Sequence, residues 1–250
     1  QSLQEPPPVE MPSIPSIKET GTAAMQYMAK LNDLPEAEWS LSKVFGDDTY
    51  KVWTRKSDEA ACAEDVLKAA VLLKNTSLAE VLALVAPWLP YRAQWDDLID
   101  PATKVLGESE DNETSEVFKV VHHITLKKFP LSARDSVDVL SLRVAAPHVY
   151  VACRSIADLP EIPAEEKDVV RTVSHLAGYD IEARGEDVHL TMYFHSDLKL
   201  SGPRLLSAAL SSVKPKFAVE KMKALVKALK DKKPAVSAGH LAECERLIAP

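Results

Sequence analysis

Glycine is scarce in this chain, with seven among 250 residues. That leaves little material for a phosphate-cradling loop, and neither GxxxxGK[ST] nor GxGxxG occurs. GxSxG and HExxH are absent too, so the strand-to-helix nucleophile turn and the zinc-protease helix are not available. Cysteine is equally thin. Cys62, Cys153 and Cys244 are odd in number and widely spaced, with no CxxC pair. They form no disulfide framework and no thiolate metal site, and they point to a reducing compartment. No apolar run reaches the ~18 residues of a membrane span, and the first residues lack the basic-then-apolar texture of a signal peptide. Lys and Arg (30) are outnumbered by Asp and Glu (37), and the net charge of −7 weighs against a general nucleic-acid binder. Aromatics make up 6% of a chain that is 46% apolar, so the core must be built largely of Ala, Val and Leu.

What is present reads as an ordered series of elements. Residues 1–16, "QSLQEPPPVEMPSIPS", hold five prolines and read as an extended arm. A helix is expected from near Ile17 to Asn32, then two strands around a "GDD" turn and a third over 66–75. "SLAEVLALVAP" reads as a helix whose Ser77 and Glu80 have capping-box spacing. A second helix carries "YRAQWDDLI". Strands follow over 102–110, 115–126, 134–145, 147–157, about 169–183 and 187–197. The last long element runs from Pro203 to about Lys230 with an apolar stripe, and Pro215 should kink or split it. Residues 233–250 read as a short polar tail. Strands in series with helices at the middle and end imply an α+β fold with an antiparallel sheet and a long helix lying in it.

"YRAQWDD" carries the most suggestive charges. Tyr91, Trp95 and Leu98 share one helical face, and Arg92 and Asp96 stand at i, i+4 on the next. An exposed pair of this kind contributes ~0.3–0.5 kcal/mol. Arg before Asp is the less favourable order for supporting a helix. The pattern alone therefore leaves both an ordinary surface pair and an inward-facing one open. No histidine grouping has a recognised metal-ligand spacing.

Taken together, "YRAQWDD", "FPLSARDSVDVLSLRV", "VYVACRSIADLPEIP", "DVVRTVSHLAGYDIEA" and "VHLTMYFHSDLKLSGPRLLSAAL" resemble the START (steroidogenic acute regulatory protein-related lipid transfer) domain over roughly residues 17–230. The separate motifs are weak, but their shared order and spacing are specific. The resemblance implies a helix-grip fold, in which a curved antiparallel β-sheet wraps a long C-terminal helix and encloses an internal lipid tunnel. It implies a domain over 17–232 between the arm and the tail, no covalent chemistry and no cofactor. The motifs lie nearest to phosphatidylcholine- and ceramide-binding members. In those, an Arg and an acidic residue with this spacing face the cavity and touch the headgroup, so Arg92 and Asp96 become the leading site residues.

The same resemblance places His123, Ser136 and His175 where phosphatidylcholine-binding members build an aromatic cage. His123 and Cys153 stand where ceramide-binding members carry amides, and Leu140 where sterol-binding members carry arginine. Leu206, Leu210 and Val213 are implied to face the tunnel from the last helix. The loop "TLKKFPLSA", with Lys127, Lys128, Phe129 and Leu131, mixes basic and apolar residues in a manner suited to shallow docking on a membrane. Residues 214–233 add eight lysines against Glu220 and Asp231. The expectation is a cytoplasmic protein that takes up one lipid, phospholipid or sphingolipid, and moves it between membranes it contacts transiently. No nucleic-acid partner is expected, and no protein partner is identified. The alternatives are a lipid-sensing interaction module and a helix-grip cavity enzyme using His123 or His175 as base.

Overall fold

The computed structural model describes residues 14–45, 49–59, 62, 64–111, 116–128, 132–156, 169–199 and 204–249, without the side chains of 14–15, 43–45, 110–111 and 204–213. The elements in chain order are helix α1 (Ile14–Asn32), strands β1 (Ser40–Phe45), β2 (Tyr50–Arg55) and β3 (Val66–Leu73), helices α2 (Leu78–Val85) and α3 (Arg92–Trp95), and strands β4 (Lys104–Asp111), β5 (Glu116–Thr125), β6 (Arg134–Ala145) and β7 (His148–Ser155). Then come β8 (Val170–Arg171), β9 (Val173–Arg184), β10 (Asp187–Asp197), helix α4 (Arg204–Asp231) and helix α5 (Ala238–Ile248). Nine strands form one antiparallel sheet in the order β1-β2-β3-β10-β9-β7-β6-β5-β4, and the short β8 pairs parallel with β6. The chain thus has the helix-grip arrangement, a large sheet gripping the C-terminal helix α4.

The sheet buries both faces, and its alternation decides which residues reach which side. Ala24, Met25, Met28 and Leu31 of α1 pack on one face against Trp53, Ala152, Leu176 and Tyr193. Gly178 makes this packing possible. A Cβ there would meet the Val151 carbonyl oxygen at 2.2 Å and Met28 Cε at 2.6 Å, so α1, β9 and β7 approach only over a bare backbone. The other face packs on α2 and α4. Ala218, Met222 and Leu225 of α4 recur at helical spacing and are buried there with Leu82, Leu140, Val151 and Ile181. Each such aliphatic side chain stabilises the fold by roughly 1.5–3 kcal/mol.

Several elements differ from the sequence reading. β3 is not among them, being the strand expected there, with its backbone satisfied by β2 and β10 on either side. The expected 169–183 strand is two pieces. Thr172 leaves the ladder and turns its N–H to the Asp135 carbonyl at 2.8 Å, with its hydroxyl on the same oxygen. The second middle helix shortens to a single turn, α3, which ends at Trp95 with Asp96 as its C-cap. Pro215 does not split α4, which runs through it. The polar tail read for 233–250 contains α5, capped by Ser237 Oγ accepting from the His240 N–H at 3.2 Å. Its Cys244 is buried in the main core, with Leu241, Leu247 and Ile248 packed around it. The α2 capping box forms as its spacing predicts. Ser77 Oγ accepts from the Glu80 N–H, and Glu80 Oε2 accepts from the Ser77 N–H at 2.9 Å.

Candidate functional site

Between the sheet and α4 lies a cavity of about 240 Å³, walled by Leu67, Leu140, Val151, Met192, Phe194 and Phe217 among others. Its lining follows strand parity. His123 and Thr125 of β5, Ser136 and Asp138 of β6, Val151 and Cys153 of β7, and Ala177 and Tyr179 of β9 all face it. Arg92 and Asp96 reach it from α3, and Lys214 and Lys221 from α4.

The Arg92–Asp96 pair faces inward. Asp96 is 3% exposed. Arg92 Nε lies 3.7 Å from Asp96 Oδ2, and Lys221 Nζ reaches the same oxygen at 3.2 Å. Asp96 Oδ1 accepts from the Leu98 N–H at 3.2 Å. Arg92 Nε and Asp96 Oδ2 are buried and find no hydrogen-bond partner in the protein. Polar atoms left this way inside a protein call for a partner. Burial alone raises the Asp96 pKa, but the charges of Lys221 and Arg92 outweigh it and hold the carboxyl below its ordinary value.

The opposite wall is polar as well. Asp138 accepts from Ser155 Oγ at 2.6 Å and Ser136 Oγ at 2.8 Å, and burial pushes its pKa up to about 6. Ser155 Oγ accepts in turn from the Ser174 N–H at 2.7 Å, tying β6, β7 and β9 together. His123 Nε2 stands 3.8 Å from Asp138 Oδ2. Burial, then the nearby charges of Arg92 and Lys221, lower the His123 pKa to about 3, so the ring is neutral at pH 7. Burial likewise raises the Cys153 thiol far above its ordinary value.

Of the residues expected at the site, Arg92, Asp96, His123, Ser136 and Cys153 come together on this cavity. His175 does not. In β9 one extra residue falls between Leu176, paired with His195, and Ser174, paired with Ser196. This bulge shifts the alternation, so Ser174 and Thr172 face the cavity instead. The His175 ring lies 5.0 Å from that of His195, which shares a 3.1 Å hydrogen bond with the Tyr27 hydroxyl of α1 on the other face. Leu206, Leu210 and Val213 belong to α4, but their side chains lie outside the described residues. Phe129 and Leu131 of the expected docking loop also lie outside them. Lys127 is exposed. Lys128 is half-buried and bonds Asp97 at 3.0 Å, with its ammonium 5.7 Å over the Phe217 ring. The basic stretch of α4 is likewise no uniform surface, since Lys214 pairs with Glu64 and Lys221 with Asp96.

Asp138, Lys221, Thr172 and Ser174 were missed. Asp138 carried a signal, because it has the strand parity of Ser136 and Leu140. Lys221 carried another, standing four residues from Phe217 and from Leu225 on the inward stripe. Thr172 and Ser174 carried none, because the bulge is not written in the local sequence.

The comparisons bear on the fold and the family. The START domain family profile matches residues 20–231. Human StAR-related lipid transfer protein 5 superposes with a TM-score of 0.71 at 20% identity, covering 86% of this chain and 97% of its own. Human STARD10 gives 0.64 at 18% identity, covering 98% and 91%. The human StarD13 (DLC2) lipid transfer and protein localization domain gives 0.57 at 18%, covering 80% and 94%. No curated protein sequence matches the chain. The family match spans the sheet, the α3 pair and α4 alike, and the chain belongs to the START domain family.

Proposed function

We propose that the chain binds one lipid molecule in this cavity and carries it between membranes, with a phospholipid or sphingolipid as cargo. One observation carries the reading: an apolar cavity whose polar end holds Arg92 Nε and Asp96 Oδ2 buried without hydrogen-bond partners. Acyl chains leaving water for such walls gain roughly 0.8 kcal/mol per CH₂. A phosphate or hydroxyl then completes the polar end, where Arg92 and Lys221 are cations and Asp96 an acceptor. Two of the structures with this fold are named for lipid transfer.

In this reading Arg92, Asp96, His123, Ser136 and Cys153 contact the headgroup, and Leu206, Leu210 and Val213 border the chains. Lys127, Phe129 and Leu131 touch the membrane, and the protein works in the cytoplasm without a cofactor. A cavity enzyme is disfavoured. With a pKa near 3, His123 is a weak base at pH 7, and His175 faces α1 instead. The test is transfer of fluorescent lipid between liposomes. Arg92→Ala should lower the rate at least tenfold while the melting temperature moves by only a few degrees. Normal transfer by folded Arg92→Ala protein would make Arg92 structural.

A further inference from the structure

We infer that the cavity selects a lipid whose headgroup joins a phosphate to an amine still bearing N–H bonds, and that Asp138 is the acceptor that reads the amine. The inference rests on the lipid-binding reading and narrows its cargo.

Two features of the polar end lead to it. The first is the sparse escort of Asp138. This carboxyl is 2% exposed, yet its hydrogen bonds come from two neutral hydroxyls, Ser136 and Ser155. Each oxygen keeps an unused lone pair. His123, at 3.8 Å, is uncharged at pH 7. Arg171, whose charge also reaches Asp138, is held by Asp135 through hydrogen bonds of 2.7 and 2.6 Å.

The second is the charge division. On the helical side, Arg92 and Lys221 face the single carboxylate of Asp96, one positive charge in excess. On the sheet side stands Asp138, whose carboxylate supplies a negative charge. Lys214 is balanced by Glu64, and the Arg134 guanidinium donates to the carbonyls of Ser132 and Leu198. The charges of Asp138, Arg92 and Lys221 all act on the Cys153 thiol, so the two sides converge on one end of the cavity. A zwitterion answers the Arg92–Lys221 excess and Asp138 together, with phosphate toward the two cations and ammonium toward the carboxylate. A hydroxyl headgroup leaves both excesses unmet. A quaternary ammonium offers no hydrogen to Asp138 and needs open aromatic faces. Two of the rings lining the cavity, Tyr179 and Phe217, already face Lys221 at 5.8 Å and Lys128 at 5.7 Å. The Asp138 pKa of about 6 falls again beside an ammonium, so the ionised acceptor prevails at pH 7.

The experiment compares four phospholipids with the same acyl chains, carrying ethanolamine, N-methyl-, N,N-dimethylethanolamine and choline. Each competes against a fluorescent lipid for the purified protein, with ceramide and diacylglycerol alongside. The first three should compete comparably, and choline roughly ten- to a hundredfold worse, the loss of one charge-assisted hydrogen bond. Asp138→Asn, checked for folding by its melting temperature, should erase this step, so that the three amines bearing N–H bonds compete no better than choline. Equal competition by choline and ethanolamine overturns the inference, as does a smooth decline with each methyl. A uniform loss across the series in folded Asp138→Asn protein also overturns it, making Asp138 structural. If ceramide or diacylglycerol competes and no member of the series does, this inference alone falls. If nothing competes, the lipid-binding reading falls with it.

Discussion

Replacing Asp96 by alanine should invert the energetic role of Lys221. In the native protein the Asp96 carboxylate stands between Arg92 Nε at 3.7 Å and Lys221 Nζ at 3.2 Å, and it is 3% exposed. Its removal leaves two cations facing each other inside the cavity wall and the Leu98 N–H without its acceptor. Breaking a buried ion pair by deleting one partner costs about 3–5 kcal/mol. The two cationic side chains keep 15% and 18% of their surface, so water relieves part of the repulsion and the loss should sit near ~3 kcal/mol. For a chain of this size that lowers the melting temperature by about 6–12 °C. Lys221→Met alone should cost only about 1 kcal/mol, because Arg92 and Asp96 still neutralise each other. In the Asp96→Ala background the same Lys221→Met change should be stabilising, since it removes a like charge. Urea unfolding followed by tryptophan fluorescence in all four proteins measures the cycle. An Asp96→Ala loss under ~1 kcal/mol, or a Lys221→Met effect equal in both backgrounds, would refute the buried three-charge arrangement.

Other consequences are separately measurable. Asp138 has a folded pKa raised to about 6, so its contribution is present below pH ~4 and is lost as pH rises through about 6. His123, lowered to about 3, acts oppositely, losing stability as pH falls below ~6.5. The two slopes oppose each other between pH 4 and 6. Asp138→Asn should therefore make stability rise with pH across that window by up to ~1.4 kcal/mol per unit more than in the wild type, and parallel profiles would contradict the raised pKa. Gly178→Ala forces a Cβ against the Val151 carbonyl and should destabilise by about 3 kcal/mol or cause misfolding, whereas wild-type stability would show that α1 is not packed as described. Tyr91→Phe removes the hydroxyl that accepts from the Ser237 N–H at 2.8 Å and shares a 2.7 Å hydrogen bond with His240 Nδ1, so it should cost about 1 kcal/mol. No change there would mean α5 is held by its apolar face alone. Lys127→Glu should slow transfer to anionic liposomes more than to neutral ones, and an equal effect on both would count against docking through this loop.

Much of the architecture was legible because it is written in period. The alternation of β5, β6 and β7 fixes which of their residues face inward. It brings His123, Ser136 and Cys153 to one cavity, although the resemblance and not period singled them out. The inward turn of Arg92 was not legible from its helix, which is one turn long and too short for any period to form. It became an expectation only through the order of motifs around it. His175, singled out by the resemblance, is carried to the α1 face by one bulged residue in β9. The tail was misread for another reason. Residues 233–250 are about as apolar as the rest of the chain, and Leu241, Cys244, Leu247 and Ile248 recur at helical spacing and pack on the core. The meaning of Asp138 and Lys221 depends on partners far away in sequence, Ser155 for one and Asp96 for the other.

The central claim is that one lipid fills the cavity beside Arg92 and Asp96. Native mass spectrometry of the purified protein, mixed with liposomes of a natural lipid extract and separated again, tests it most directly. A single added mass equal to one lipid molecule is expected, lost on organic extraction and much reduced in Arg92→Ala. A protein that keeps its bare mass against every lipid offered, while folded, would contradict it.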